Sequence, residues 1–360
     1  MTNPIRIALP FVALLFVACG GNEGTGEMGG DGGQVGDGGP ETIDHAPIVA
    51  PEDTWTWVDF PDSKCGSGTA TGIAINPHAG ATNLLIYFEG GGSCHDATTC
   101  WGPSPTAANV AGYDVTVFST AKQRAYPILD RTTVGNPFAN LNMVYIPYCT
   151  GDFHAGTVEV DMQVNGTTKP TYFWGARDLA LFLARLAPTF PQATHVWSTG
   201  ASAGGFGAFL TYAQVTQAFP VRVDMIDDSG PAIFAKGGTS NASAFATYGL
   251  PKPTGCNPCT AFSDILAADR KLQPGSKFGF LSFSQDTVIS KDFGYTLIEY
   301  PTVMTDFSAS LSADGGSATY LFGNEASHMV QSDRANADAY LPWMTKMVND
   351  DPTWGDLKFP

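Results

Sequence analysis

The chain has 360 residues, 43% of them hydrophobic and 12% aromatic, enough to bury a sizeable core in one large domain or two modest ones. Only 14% are charged, and 34 acids against 18 bases leave a net charge of −16. That balance excludes a nucleic-acid binder and a Lys/Arg-driven association with anionic membrane surfaces, because few cations are available to neutralise phosphates.

The N-terminus carries Arg6, an apolar run over 7–17 and then Ala18-Cys19-Gly20. One positive charge, about ten apolar residues and a small residue before the cut describe a secretory signal, too short to span a membrane. The cysteine at the cut resembles a lipoprotein signal, so residues 1–19 are read as a signal peptide with Cys19 as the lipidation site. Gly20 rather than Asp after that cysteine favours the outer membrane or cell surface, with release from the cell as a variant. A lipid on Cys19 is the one membrane attachment expected. Residues 20–53 hold eight acids and no base, with eleven glycines between 20 and 40. Such a chain buries nothing and is expected to be a disordered tether. Residues 54–360 retain 26 acids and 17 bases, a single acidic domain expected to be a monomer.

Within that domain, 54–59 and 71–76 alternate like edge strands. Continuous apolar runs follow at 83–88, 142–147, 195–199, 222–227, 277–284 and 318–322, the pattern of strands buried on both faces. Helices are expected between them. In 174–190 the residues Ala176, Leu179, Ala180, Leu183 and Ala187 recur along one stripe. Further helices are expected over 204–218, 295–312 (interrupted by Pro301) and 335–349, where Pro342 marks a kink or boundary. The segment 237–275, rich in Gly, Pro, Ser, Thr and Asn, reads as an insertion. Strands alternating with helices predict an α/β fold, a mostly parallel central sheet with helices on both faces.

Six cysteines remain after Cys19, an even set that in an exported chain reads as disulfides. Spacing suggests Cys94–Cys100 and Cys256–Cys259, leaving Cys65–Cys149. A zinc site at Cys256 and Cys259 lacks a second ligand pair, and no metal is expected.

The strand over 195–199 runs into Gly200-Ala201-Ser202-Ala203-Gly204-Gly205 and then a helix. Gly-x-Ser-x-Gly alone is weak, but this context fits a strained strand-to-helix turn that lifts a serine above the sheet at a helix N-terminus. Ser202 is therefore the candidate nucleophile, and a serine needs a base. Of six histidines, His45 lies in the tether, His78 in an Asn-Pro-His turn, His95 beside Cys94 and His195 at the start of the nucleophile strand. In the α/β-hydrolase fold the order is serine, acid, histidine, with the histidine after the last strand. His328 has that place. His154 precedes the serine, and with Asp152 it is assigned to substrate binding at the rim of the cleft. Asp286, just after the strand over 277–284, is the expected orienting acid, with Asp227 and Asp228 as competitors. Glu89-Gly90-Gly91-Gly92, closing the strand over 83–88, offers backbone N–H groups for an oxyanion. Gly91, Gly92 and Ala203 are the candidate donors.

The segments Leu85-Ile86-Tyr87-Phe88-Glu89-Gly90-Gly91-Gly92-Ser93-Cys94, Ile146-Pro147-Tyr148-Cys149, Gly200-Ala201-Ser202-Ala203-Gly204-Gly205 and Asp227-Asp228-Ser229-Gly230 together resemble the pectin acetylesterase family. The resemblance runs through most of residues 54–330. It implies an α/β-hydrolase fold, no metal or organic cofactor, ester hydrolysis by a Ser-Asp-His triad, and cysteine pairs like 94/100 and 65/149. The family often has Trp where Gly92 stands, and glycine there opens the pocket. The expected function is a secreted or surface-tethered serine esterase removing acetyl or other short acyl groups, with an acylated polysaccharide as substrate. A carboxylesterase or lipase on another acyl ester, a serine peptidase, and a glycan-binding lipoprotein on an inactive scaffold are the alternatives.

Overall fold

The structure, a computed structural model, describes residues 43–237, 240–312, 316–322, 326–332 and 334–358. The expected signal peptide, Cys19 and the tether up to residue 42 lie outside the described residues. The strands are β1 (Thr56–Phe60), β2 (Thr71–Asn76), β3 (Asn83–Phe88), β4 (Asn142–Ile146), β5 (Val158–Val164), β6 (Thr167–Phe173), β7 (His195–Ala201), β8 (Arg222–Asp228), β9 (Phe278–Phe283), β10 (Ser317–Phe322) and β11 (Leu357–Lys358). Nine of them form one sheet in the order β1-β2-β4-β3-β7-β8-β9-β10-β11. Within this sheet β2 is antiparallel to β1 and β4, and every other ladder is parallel.

Each interior strand feeds two cores, which explains its unbroken apolar run. On β3, Leu84, Ile86 and Phe88 enter one buried cluster while Leu85 and Tyr87 enter the other. Helices cover both faces, so neither set of side chains is left for water. β2 departs from the edge-strand expectation. All six of its residues are buried, because β1 closes its outer side.

Four more differences have local causes. Residues 43–53 are not a tether. Ile48 is buried and its N–H donates to Thr189 Oγ1 at 2.7 Å, while Asp53 meets His78 Nδ1 at 2.7 Å and Arg131 Nε at 3.2 Å. The hairpin β5–β6 and the short β11 were not anticipated. Asn165 (φ 51°) and Gly166 (φ 77°) make the hairpin turn, both in the left-handed region that this dipeptide accepts readily. The expected helix over 204–218 is two helices, Ala203–Leu210 and Tyr212–Ala218, separated at Thr211, whose hydroxyl donates back to Gly207 O at 2.7 Å. Finally, 237–275 is no mere insertion. Its helix Phe262–Leu272 is the crossover from β8 to β9, with Phe262, Ile265 and Leu266 in the core and Phe262 against Phe206 at 5.5 Å between ring centroids.

Helix Tyr300–Ser312 starts one residue before Pro301, where a missing N–H costs nothing, and helix Ala337–Val348 carries Pro342 inside it. Cys65 bonds Cys149, Cys94 bonds Cys100 and Cys256 bonds Cys259, with Cα atoms 4.9, 5.0 and 5.2 Å apart.

Candidate active site

β7 ends at Ala201, and Ser202 turns the chain with φ 57° and ψ −122° before helix Ala203–Leu210 begins. A serine in that region costs about 1–3 kcal/mol, so its surroundings must enforce it. They do. Ser202 N–H donates to Asp228 O at 2.7 Å, and Phe206 N–H closes the first helical turn on Ser202 O at 3.1 Å. The glycines are required by close backbone approach. A Cβ on Gly204 would stand 2.0 Å from Phe88 O, and one on Gly205 would stand 2.7 Å from Asp228 O.

β9 and β10 pair in parallel register, Phe283 opposite Phe322, so their C-terminal loops are neighbours. His328 Nδ1 and Asp286 Oδ2 stand 2.8 Å apart. Asp286 is fully buried, and its other oxygen accepts the N–H groups of Val288 (2.9 Å) and Ile289 (2.8 Å), which fix the carboxylate plane. Asp227 and Asp228 are engaged elsewhere. Asp227 Oδ1 accepts Gly230 N–H at 2.8 Å, and burial holds its carboxyl well above the ordinary range. Asp228 accepts Val330 N–H (2.9 Å), Gln331 N–H (2.7 Å) and the Ser229 hydroxyl (2.9 Å). Burial raises its carboxyl to about 6, against the pull of those N–H groups. Asp228 thus holds the Ser202 turn by its main chain and the segment after His328 by its side chain, a role the sequence does not announce.

The turn after β3 lies directly against Ser202. A Cβ on Gly90 would meet Ala201 O at 2.2 Å and Ser202 Cβ at 3.1 Å. Gln123 clamps Gly90 on both sides, accepting its N–H at 2.9 Å and donating to its carbonyl at 3.0 Å, and the Tyr87 hydroxyl donates to the same Gln123 oxygen at 2.7 Å. Gly92 has φ 74°, with Thr106 O only 2.0 Å from where a Cβ would be, so no side chain fits this backbone. Among the described residues, no hydrogen bond uses the N–H of Gly91, Gly92 or Ala203. Gly92 and Ala203 share a cavity with Ser202; Gly91 does not line it.

That cavity has a volume of about 570 Å³, with apolar walls from Phe153, Phe206, Tyr248, Phe262, Ile289 and Phe293. Asp152 and His154 are absent from it, contrary to expectation. His154 is buried, its Nε2 2.8 Å from Glu89 O and its ring against Tyr148 at 4.6 Å and Phe88 at 5.2 Å. Burial drives it down to about 4, a neutral structural imidazole. Asp152 accepts the Thr150 hydroxyl and the N–H groups of Gly156 and Gly175. Phe153 between them, at φ 59°, is the residue turned into the cavity.

Residues 56–249 match the family described as Pectinacetylesterase. The chain is 31% identical over 161 residues to palmitoleoyl-protein carboxylesterase NOTUM of Schmidtea mediterranea, covering 42% of this chain and 28% of that protein. It is 28% identical over 204 residues to pectin acetylesterase 11 of Arabidopsis thaliana, covering 53% of this chain and 50% of that protein. The chain therefore spans half or less of the length of these relatives. Among solved structures, the Wnt deacylase Notum from Drosophila superposes with a TM-score of 0.62 at 17% identity, over 85% of this chain and 95% of that one, a likeness of fold.

Proposed function

The chain belongs to the pectinacetylesterase family, and from that premise we propose that it is a serine carboxylic-ester hydrolase in which Ser202, His328 and Asp286 are the triad. The observation that carries this reading is the combination of a serine held at φ 57° on a cavity wall with the 2.8 Å His328–Asp286 bond at the neighbouring strand ends. Ser202 Oγ adds to the ester carbonyl while His328 Nε2 takes its proton, and the bond from Nδ1–H to Asp286 keeps Nε2 the free acceptor until then. The N–H groups of Gly92 and Ala203 receive the oxyanion, with Gly91 supporting their turn. The adduct collapses by breaking the bond to the alcohol oxygen, which takes the proton from His328. Water then repeats the sequence on the acyl-enzyme.

The substrate is read as an acylated polysaccharide or other acyl ester. Cavity size favours acyl groups beyond acetyl. A water-sized group occupies about 30 Å³, so an acetyl fills only a small part of about 570 Å³. Relatives named for palmitoleoyl-protein and for pectin acetyl esters bracket that range. Three disulfides fit an oxidising location, in keeping with residues 1–19 as an export signal and a lipid on Cys19. Turnover of 4-nitrophenyl esters of rising chain length tests the reading. Ser202→Ala should lower it by at least about three orders of magnitude with folding intact and abolish labelling by a serine-directed phosphonate. Retained turnover in that variant would sink the assignment.

A further inference from the structure

The charge pattern of the cavity bears on the alcohol half of the substrate, an inference that rests on the esterase reading. Among the described residues, no Lys or Arg lines the cavity around Ser202. Ser93, Thr99, Thr106 and Thr247 contribute hydroxyls to the lining, and the one carboxylate there among the described residues is Asp292, at the end of the short helix Ile289–Asp292. Asp292 is exposed and lines the same cavity as Ser202; burial and Asp286 raise its carboxyl, while His328 and the neighbouring Lys291 draw it down. Lys291 beside it is not part of the lining. His95, the lining imidazole, already has Asp96 Oδ2 at 3.8 Å from its Nε2. Residues 54–360 carry nine more acids than bases, so the long-range field has the same sign.

A polyuronate whose acyl group enters this cavity brings carboxylates on the same and adjacent sugars. Within roughly 10 Å, where salt screens incompletely, those carboxylates meet Asp292 with no guanidinium or ammonium in the lining to balance them. An uncharged glycan meets hydroxyls that can both donate and accept. We propose that the site takes esters of an uncharged, hydroxyl-rich chain, and that Asp292 is the specificity-determining residue that turns away acylated uronate polymers.

The test begins with 4-nitrophenyl esters from acetyl to longer acyl chains, which together decide the underlying esterase reading. Acetate release is then followed at pH 8 from acetylated cello-oligosaccharides and acetylated oligogalacturonates of matched length and acetyl content. At about 20 mM salt, kcat/KM for the neutral chain should exceed that for the anionic chain by at least about tenfold, and the ratio should narrow at about 500 mM. Asp292→Asn should narrow the low-salt ratio by about threefold and Asp292→Lys by more. Equal or preferred cleavage of the anionic chain at low salt overturns the proposal. So does a ratio that ignores salt or stays unchanged in both variants. An enzyme that cleaves a 4-nitrophenyl ester but neither oligosaccharide overturns the substrate class while leaving the esterase reading intact.

Discussion

Replacing Asp286 by Asn separates the orienting role proposed for this carboxyl from its structural one. The oxygen that accepts Val288 and Ile289 N–H can be kept by the amide carbonyl. The amide nitrogen then takes the place of Oδ2, 2.8 Å from His328 Nδ1. Two donors cannot face each other there, so the imidazole must present a bare Nδ1 and carry its proton on Nε2. The ring keeps its position but loses the lone pair that accepts the serine proton. Loss of charge assistance in the two backbone bonds costs about 1 kcal/mol, or a few degrees in Tm. The wrong tautomer costs about three to four orders of magnitude in kcat. Turnover of a 4-nitrophenyl ester, measured beside thermal unfolding, reads both quantities. If Asp286→Asn stays within about tenfold of the parent while Asp228→Asn loses turnover without losing stability, the acid belongs to β8 and the reasoning fails.

Three further outcomes follow from other contacts. Asp228→Asn should set an amide donor against Val330 or Gln331 N–H, lowering Tm by several degrees and kcat by about ten- to a hundredfold through displacement of the His328 segment. A Tm drop with kcat unchanged would reduce Asp228 to a turn cap. Glu89 is pushed by burial up to about 7, above its unfolded value, so its contribution to stability is whole below about pH 4.5 and is lost as pH rises through about 7. Glu89→Gln should therefore gain Tm relative to the parent between pH 5 and pH 8, and an offset independent of pH refutes this. The Cys65–Cys149 bridge spans 84 residues and Cys256–Cys259 spans 3, so replacing the first pair by Ala should cost about 4.5 kcal/mol and the second under about 2. Equal losses in denaturant titrations would contradict the loop-entropy argument.

The sheet was legible because a strand buried on both faces admits little besides Val, Ile, Leu, Phe and small residues, and β3, β4, β7, β8, β9 and β10 read that way. β5 escaped because its pattern is mostly exposed, although Asn165-Gly166 is a strong local hairpin signal. The serine turn announces itself by small residues packed on both sides of one serine, although the contacts they answer come from both neighbouring strands, Phe88 of β3 and the Asp227–Asp228 end of β8. The acid is different. Asp227 and Asp228 close β8 and Asp286 follows β9, and only the β9–β10 register brings one of them beside His328. Asp152 and His154 were misplaced for a related reason. A polar pair in a glycine-containing loop looks solvated, and nothing local shows that Phe88, Tyr148 and the start of the helix Gly175–Thr189 close over it. Gln123 lies 33 residues from its partner Gly90, in a stretch of short turns with no period to read.

The double attachment at Asp228 has a consequence for thermal motion. One residue's carbonyl anchors Ser202 and its carboxylate anchors the chain just past His328, so any slide or tilt of the β8 end carries both in the same sense. Such a shift cancels from the distance between them, as common-mode noise cancels in a differential amplifier. Only motions that bend the Asp228 side chain itself remain to alter the spacing, and that side chain is fully buried.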